Sequence, residues 1–172
     1  NCQTAVVAIA KAASMIDNLD IQVSYRTTTG DKPIILIAYD SRVDSFRKIT
    51  SLFKHICASN LTPEGLTFEA IKNELVAASG DKESYFINFS DGMPYCEPKG
   101  YNYWGESAIQ HTRKQVDNMR KRGIKVLSYF IGNNNYGSQG EFTRMYGKSA
   151  QTIDVTSLVP LAKTLNKMFL TR

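Results

Sequence analysis

The chain contains little cysteine, proline or glycine: 3, 5 and 11 of 172 residues, respectively. The low proline and glycine content and the 42% of hydrophobic residues exclude collagen-like, low-complexity and disordered classes, so we expect a folded protein. Cys2, Cys57 and Cys96 lie far apart, with no Cys-x-x-Cys pair and no nearby histidine. This spacing predicts neither a zinc cluster nor a disulfide framework, and it favours a reducing, cytoplasmic location.

Long apolar runs are also missing from the sequence. The longest uncharged apolar stretch, Pro33–Tyr39, is far shorter than the ~20 residues of a membrane-spanning helix, and no signal peptide opens the sequence. We therefore expect no membrane segment. The length predicts one domain over residues 1–172, with no linker and no internal repeat.

Acidic residues are fewer than basic ones, which gives a net charge of +5. Six of the basic residues fall between Arg113 and Lys125. Such a cluster is typical of a solvated helix face, and the alternative is a surface for nucleic acid or an acidic partner. Because no nucleic-acid-binding motif accompanies the cluster, nucleic acid is the minor alternative.

Hydrophobic periodicity switches repeatedly between helical and strand spacing. A turn, Thr-Gly-Asp-Lys-Pro, joins the first two strands and permits an antiparallel hairpin, and helices separate the later strands. This order predicts an α/β domain with a doubly wound, mainly parallel sheet and helices on both faces, whose ligands gather at the carboxyl ends of the strands. The expected helices are 4–18, 44–56, 66–79, 105–122, a short turn at 142–146 and 158–170; the expected strands are 21–25, 34–39, 85–89, 124–131 and 152–155.

A carboxylate follows the expected strand 85–89, in the sequence Ser90-Asp91-Gly92-Met93-Pro94. A charge at a strand end needs a partner, and carboxylate and hydroxyl oxygens suit hard cations such as Mg²⁺, Mn²⁺ or Ca²⁺. The alternative is an aspartate that caps a turn through backbone N–H groups.

A hydrophobic strand followed by Ser-Asp-Gly-x-Pro resembles the third element of the metal-ion-dependent adhesion site in von Willebrand factor A (VWA) domains. The resemblance implies a Rossmann-like fold and a site of three loops: Asp-x-Ser-x-Ser after the first strand, a threonine in a middle loop, and the aspartate that corresponds to Asp91. The stretch 1–10 resembles the first VWA helix, which follows Asp-x-Ser-x-Ser. The chain therefore resembles a VWA domain without its first strand and principal ligands, which implies weak Mg²⁺ or Mn²⁺ binding and strand edges open to dimerisation or strand exchange.

The stretch Asn60-Leu-Thr-Pro-Glu-Gly-Leu-Thr-Phe68 resembles the middle loop of the cobaltochelatase T subunit, which has the pattern Asn-x-x-Gly-Glu-x-Leu-x-Trp. Glu64 then falls where most VWA domains place threonine, and Thr62 is a rival ligand. The resemblance therefore implies a partial metal site of Asp91, Glu64 and Thr62. The alternative for Glu64 is an acid near the amino end of a helix, where the helix dipole favours it.

Aromatic residues are dense in the loop that follows Asp91, on the same expected rim. Rigid aromatics at a rim are typical of partner recognition, and the alternative is a small core beneath a long loop. The polar stretch 132–140 after the next strand adds amide groups to that rim. The expected partner-binding residues are Tyr95, Tyr101, Tyr103, Trp104, Asn133 and Asn134.

Two classes of function follow from these patterns. The first is a non-catalytic protein-interaction module; the cobaltochelatase resemblance implies an AAA+ ATPase and a large chelatase subunit as partners, in cobalt insertion into a corrin ring during cobalamin biosynthesis. The second is a stand-alone metal-dependent hydrolase or a receiver-like domain phosphorylated on Asp91. The second class is disfavoured because no base is evident near Asp91 and because Ile131 is followed by Gly-Asn-Asn-Asn, where a receiver has lysine.

Overall fold

The computed structural model describes residues 2–30, 32–52, 55–57, 61–75, 82–97, 100, 102–131, 139–152 and 163. The order of helices and strands in these residues follows the sequence expectation, whereas the ends of the elements differ by up to several residues. The expected helix 158–170 lies outside the described residues, apart from residue 163. The elements are α1 Cys2–Ala13, β1 Gln22–Thr29, β2 Lys32–Asp40, α2 Phe46–Leu52, α3 Glu64–Ile71, β3 Tyr85–Ser90, α4 Gly105–Lys121, β4 Lys125–Phe130, α5 Gln139–Tyr146 and β5 Ala150–Thr152.

The first two strands form the antiparallel hairpin that the short connection permits. The pairing runs from Thr29↔Lys32 at the turn to Gln22↔Asp40 at the open end. Gly30 has φ +58°, a backbone conformation that glycine adopts readily and other residues do not. A β-bulge between Val23 and Ser24 shifts the register near the open end.

The remaining strands form a parallel sheet in the order β3-β4-β5. The β3–β4 ladder runs from Tyr85↔Lys125 to Ser90↔Phe130. Side chains alternate across β4: Val126 and Phe130 pack in one cluster with α4 and α5, whereas Tyr129 packs with Ala5 of α1. Helices therefore cover both faces of this parallel sheet.

The expectation of one doubly wound sheet needs correction, because the described strands form two small sheets, β1-β2 and β3-β4-β5. A two-residue turn leaves no room for a crossover helix, so β1 and β2 pair antiparallel, and no described strand joins this hairpin to the edge of β3. The fold is mixed α/β with a three-stranded parallel core.

Helix α4 explains where the basic cluster lies. Its buried residues recur at helical spacing and fill the main core, and each large apolar side chain of this kind contributes about 1.5–3 kcal/mol on burial. The opposite face carries the exposed Arg113 and Lys114, and Asp117 forms ion pairs with Arg113 at 4.0 Å and Arg120 at 3.0 Å. Arg113, Lys114 and Lys121 therefore lie on the solvated face of α4, whereas Lys125 of the same cluster lies on β4.

Helices α3 and α4 approach closely at one glycine. A Cβ atom on Gly65 would collide with the Tyr103 hydroxyl oxygen and would lie 2.9 Å from the Thr112 Cα atom. Only a residue without a side chain fits this crossing, and the close contact fixes the start of α3 against α4.

Candidate functional site

Two loops meet beside the carboxyl end of β3. The Tyr95 backbone N–H donates to the Thr62 carbonyl oxygen over 2.9 Å, and the two residues form an isolated antiparallel bridge. The loop before α3 is thereby joined to the loop that follows β3. We call these two loops, residues 61–64 and 91–97, the rim.

Asp91 lies at the rim directly after β3, and it is exposed. The turn that follows is held by Ser90, whose Oγ accepts the Gly92 N–H over 3.2 Å, and Gly92 has φ +117°. The hydroxyl of Ser90 thus supplies a hydrogen bond that the turn needs. This leaves the carboxylate of Asp91 facing solvent.

Glu64 lies at the first position of α3 and is completely buried. Its Oε1 accepts a hydrogen bond from Arg26 Nη2 over 2.8 Å and another from Asn88 Nδ2 over 3.0 Å. Arg26 reaches this point from β1, and 21% of its side chain is exposed. Glu64 thus lies at the amino end of a helix, as the alternative held, but it is one half of an ion pair in the protein interior and not a surface acid.

Arg26 also reaches β3. Its Nη1 donates to Asn88 Oδ1 over 2.7 Å, its Nη2 donates to the Phe89 carbonyl oxygen over 3.2 Å, and its guanidinium carbon lies 5.6 Å from the centre of the Phe68 ring. The carbonyl groups of Ser84 and Ser90 point to β4, so the intervening Phe89 carbonyl points to the other edge of β3. Arg26 satisfies that edge carbonyl in place of a backbone donor.

Asn88 and Tyr146 complete the buried polar group. Asn88 Nδ2 lies 2.9 Å from the Tyr146 hydroxyl oxygen, and both residues are almost fully buried. Burial, and secondly the negative charge of Glu64, raise the pKa of the Tyr146 hydroxyl well above its usual value, and Arg26 partly offsets this effect. Tyr146 therefore stays protonated. We call Arg26, Glu64, Asn88 and Tyr146 the buried network.

The predicted metal site of Asp91, Glu64 and Thr62 stays a prediction. The structure brings Thr62 to the loop after Asp91 through its contact with Tyr95. Within the described residues, no three His, Cys, Asp or Glu side chains form a group that could hold a metal ion. Since Arg26 already neutralises Glu64, this carboxylate does not fit a cation-binding role as the structure has it.

The aromatic loop combines both alternatives that the sequence left open. Cys96 and Tyr103 pair through two backbone hydrogen bonds of 2.9 and 3.1 Å, and both are buried with Ala108. Tyr103 is 4% exposed, whereas Tyr95 is 39% and Trp104 is 55% exposed. Tyr103 thus belongs to a small core, and Tyr95 and Trp104 face solvent; the predicted contacts Tyr101, Asn133 and Asn134 lie outside the described residues.

The small core extends through the hydroxyl of Tyr103. This oxygen lies 3.0 Å from His111 Nδ1, and His111 Nε2 lies 3.3 Å from Glu69 Oε2. Tyr103 therefore ties the base of the aromatic loop to α3 and α4.

Sequence reasoning missed Arg26 and Asn88. Asn88 had a signal, because it is the one polar residue between Tyr85 and Phe89 in an apolar strand, and a buried amide needs partners. Arg26 had none, since a charged residue in a half-exposed strand normally faces solvent.

No helix in the described part of the chain is long and apolar enough to cross a membrane.

Comparison with known proteins gives matches in structure only. No family model matches the chain, and no curated protein matches it. Three solved structures of proximal thread matrix protein 1 (PTMP1) from the mussel byssus are similar, with TM-scores of 0.59, 0.58 and 0.56, each at 13% sequence identity. The matches cover 95–96% of this chain and 40–42% of the PTMP1 chain, so this chain spans less than half the length of that protein.

One of the PTMP1 structures has a zinc-occupied metal-ion-dependent adhesion site, the motif that the Ser-Asp-Gly-x-Pro resemblance had suggested for this chain. The structural similarity supports a VWA-like fold. At 13% identity the similarity concerns the fold alone, and it does not connect the chain with the cobaltochelatase T subunit.

Proposed function

We propose that this chain is a VWA-like protein-interaction module that binds its partner through the rim and the adjacent aromatic side chains. The observation that carries the proposal is the contrast between Tyr103 and its neighbours. Tyr103 anchors the loop in a small core. Tyr95 and Trp104, which flank the Cys96–Tyr103 bridge, are instead exposed.

Exposed tyrosine and tryptophan on a fixed support suit partner binding. These residue types dominate the energetics of protein interfaces because they bury a large area and lose little conformational freedom. The Cys96–Tyr103 pairing and the Tyr95–Thr62 bridge order the backbone before binding, so a partner would not have to order it. Trp104 is the N-cap residue of α4, and its side chain makes no capping hydrogen bond there.

At a finer level, we propose a component like the cobaltochelatase T subunit, in the cytoplasm. Its partners would be an AAA+ ATPase and a large chelatase subunit that inserts metal into a tetrapyrrole. The support is the resemblance of residues 60–68, in which Glu64 falls at the position of the glutamate in the pattern. In this role the domain couples its partners and leaves the chemistry to the large subunit.

Site-specific photo-crosslinking in the source cells tests the interaction. A photoreactive phenylalanine analogue is placed at Trp104, and a matched control carries it at Lys114 on the exposed face of α4. We expect a discrete protein adduct from position 104 that is absent from position 114, and its mass-spectrometric identity decides between an AAA+ ATPase and another partner. Equal labelling at both positions, or no adduct at 104, would contradict the proposal.

A further inference from the structure

The carboxylate of Glu64 has a cation beside it that belongs to the chain. Arg26 Nη2 lies 2.8 Å from Glu64 Oε1, and Glu64 has no exposed surface. A buried carboxylate without a counter-charge is strongly disfavoured, so some positive charge is required at this position. Arg26 supplies it from β1, thirty-eight residues away in sequence.

The surroundings of the carboxylate are also unfavourable to a divalent ion. Oε1 accepts two hydrogen bonds, from Arg26 and Asn88. Oε2 is buried and has no hydrogen-bond partner among the described residues. An ion on Oε2 would lie close to the guanidinium and would be repelled by it. Mg²⁺ in particular keeps several of its waters, and a fully buried oxygen leaves no room for them.

We infer that Arg26 is the resident counter-charge of Glu64, and that Glu64 does not ligate metal in this protein. The exposed Asp91 then has to bind any divalent ion without Glu64. The rim thus has one internally paired carboxylate, Glu64, and two exposed ones, Asp91 and Glu97, of which Glu97 accepts a hydrogen bond from the Tyr95 hydroxyl. This inference concerns the charge of the rim and does not depend on the identity of the partner.

The hydrogen-bond geometry explains why an arginine, and not a metal ion, neutralises Glu64. The planar guanidinium reaches Glu64, Asn88 and the Phe89 carbonyl at once through Nη1 and Nη2. A metal ion would bind such oxygens at about 2.0–2.6 Å, closer than the 2.7–3.2 Å that separate the guanidinium nitrogens from these acceptors. The same guanidinium also packs near the Phe68 ring, which favours a delocalised cation.

The first test is titration of Mn²⁺ into the wild-type chain and into two isosteric variants, Glu64→Gln and Asp91→Asn, followed by calorimetry. We expect Glu64→Gln to match the wild type, whether the wild type binds Mn²⁺ weakly or not at all. Affinity in Glu64→Gln about tenfold or more below that of the wild type would overturn the inference. Asp91→Asn is the matched control, because it removes the exposed carboxylate and leaves the buried network intact.

A second measurement uses the wild type alone and stays decisive if Glu64→Gln fails to fold. The ¹³C chemical shift of each side-chain carboxylate carbon is followed by NMR as Zn²⁺ is added to millimolar concentration. We expect the Glu64 resonance to stay in place whether or not the Asp91 resonance moves. A saturable shift of the Glu64 carboxylate carbon would show ligation and would contradict the inference.

Discussion

Arg26 in β1 and Glu64 at the start of α3 form an ion pair of 2.8 Å that connects the antiparallel hairpin to the helix beside the parallel sheet. The described strands of the two sheets share no backbone ladder. Arg26 also donates to the Phe89 carbonyl at the edge of β3, so its side chain connects β1 to β3 in place of backbone hydrogen bonds between strands. Because Glu64 belongs to the rim, the pair also links the rim to the hairpin.

Removing one partner of the buried pair should destabilise the fold strongly. Arg26→Met leaves Glu64 as an uncompensated buried charge, and we expect a loss of about 3–5 kcal/mol in the free energy of unfolding. Adding Glu64→Gln removes that charge, so the double variant should be less destabilised than the sum of the single variants. Urea unfolding of the four proteins gives the coupling energy.

A surface ion pair provides the control for that cycle. Glu106 and Arg144 lie 2.6 Å apart, but each side chain is about half exposed, so their coupling should be at most about 1 kcal/mol. If the Arg26–Glu64 coupling proved no larger than the Glu106–Arg144 coupling, the claim that this pair links the hairpin to α3 would be wrong.

The α3–α4 crossing should not tolerate a methyl group at Gly65. Alanine normally stabilises a helix relative to glycine by about 1 kcal/mol, yet here its Cβ would meet the Tyr103 hydroxyl and the Thr112 backbone. We expect Gly65→Ala to lower the free energy of unfolding by about 1–3 kcal/mol, as overpacking does. Thermal unfolding measures it.

Tyr103→Phe supplies the companion variant, because it removes the oxygen that lies nearest to the Cβ position. Gly65→Ala should cost less in that background, although the Thr112 contact remains. If the Gly65→Ala variant proved as stable as the wild type, the two helices would have to be further apart than described.

The neighbours in the aromatic loop should differ in their contribution to stability. Tyr103→Ala removes a buried ring that packs against Cys96 and Ala108 and should cost about 3–5 kcal/mol. Trp104→Ala removes a side chain that is 55% exposed and should change stability by about 0.5 kcal/mol or less. Denaturant unfolding compares the two variants; a similar loss in both would mean that Trp104 is also part of the small core.

Stability should fall at acid pH partly through Asp40. The Arg42 side-chain hydrogen bonds hold the pKa of the Asp40 carboxyl well below its usual value of about 3.9, despite its burial. Because the folded-state pKa is the lower one, Asp40 contributes stability that is fully present above the unfolded-state pKa and is lost as the pH falls toward the folded-state pKa.

The variant Asp40→Asn should therefore lose less stability than the wild type between about pH 6 and pH 2. Urea unfolding at several pH values measures the difference, and Asp17→Asn, a change at an exposed carboxylate, is the control. If the free energy of unfolding fell equally with pH in Asp40→Asn and the wild type, Asp40 would not contribute to the acid sensitivity.

The sequence predicted the order of helices and strands well, because hydrophobic period reports which side of an element is buried. Strand 85–89 and helix 105–122 were placed within about a residue of β3 and α4. The choice of which strands lie side by side in a sheet leaves no such periodic pattern in the sequence. The single doubly wound sheet was therefore not confirmed, since β1 and β2 pair with each other and join no other described strand.

The candidate site was predictable only in part. The Thr62–Tyr95 bridge brings the Thr62 loop beside the loop after Asp91, as the sequence predicted, although the Thr62 loop lies between α2 and α3 and not at a strand end. The burial of Glu64 was not predictable from its place near a helix start. It depends on Arg26, which lies thirty-eight residues upstream and reaches the site only through the tertiary fold.

The most direct test of the central claim, that Tyr95 and Trp104 form the contact surface, is the affinity of the partner identified by crosslinking. Biolayer interferometry would compare the wild type with Tyr95→Ala/Trp104→Ala and, as control, Lys114→Ala, each with and without EDTA. We predict that the double variant binds at least about tenfold more weakly while its thermal midpoint changes little, and that EDTA leaves wild-type affinity unchanged. Undiminished binding by a folded double variant would contradict the claim.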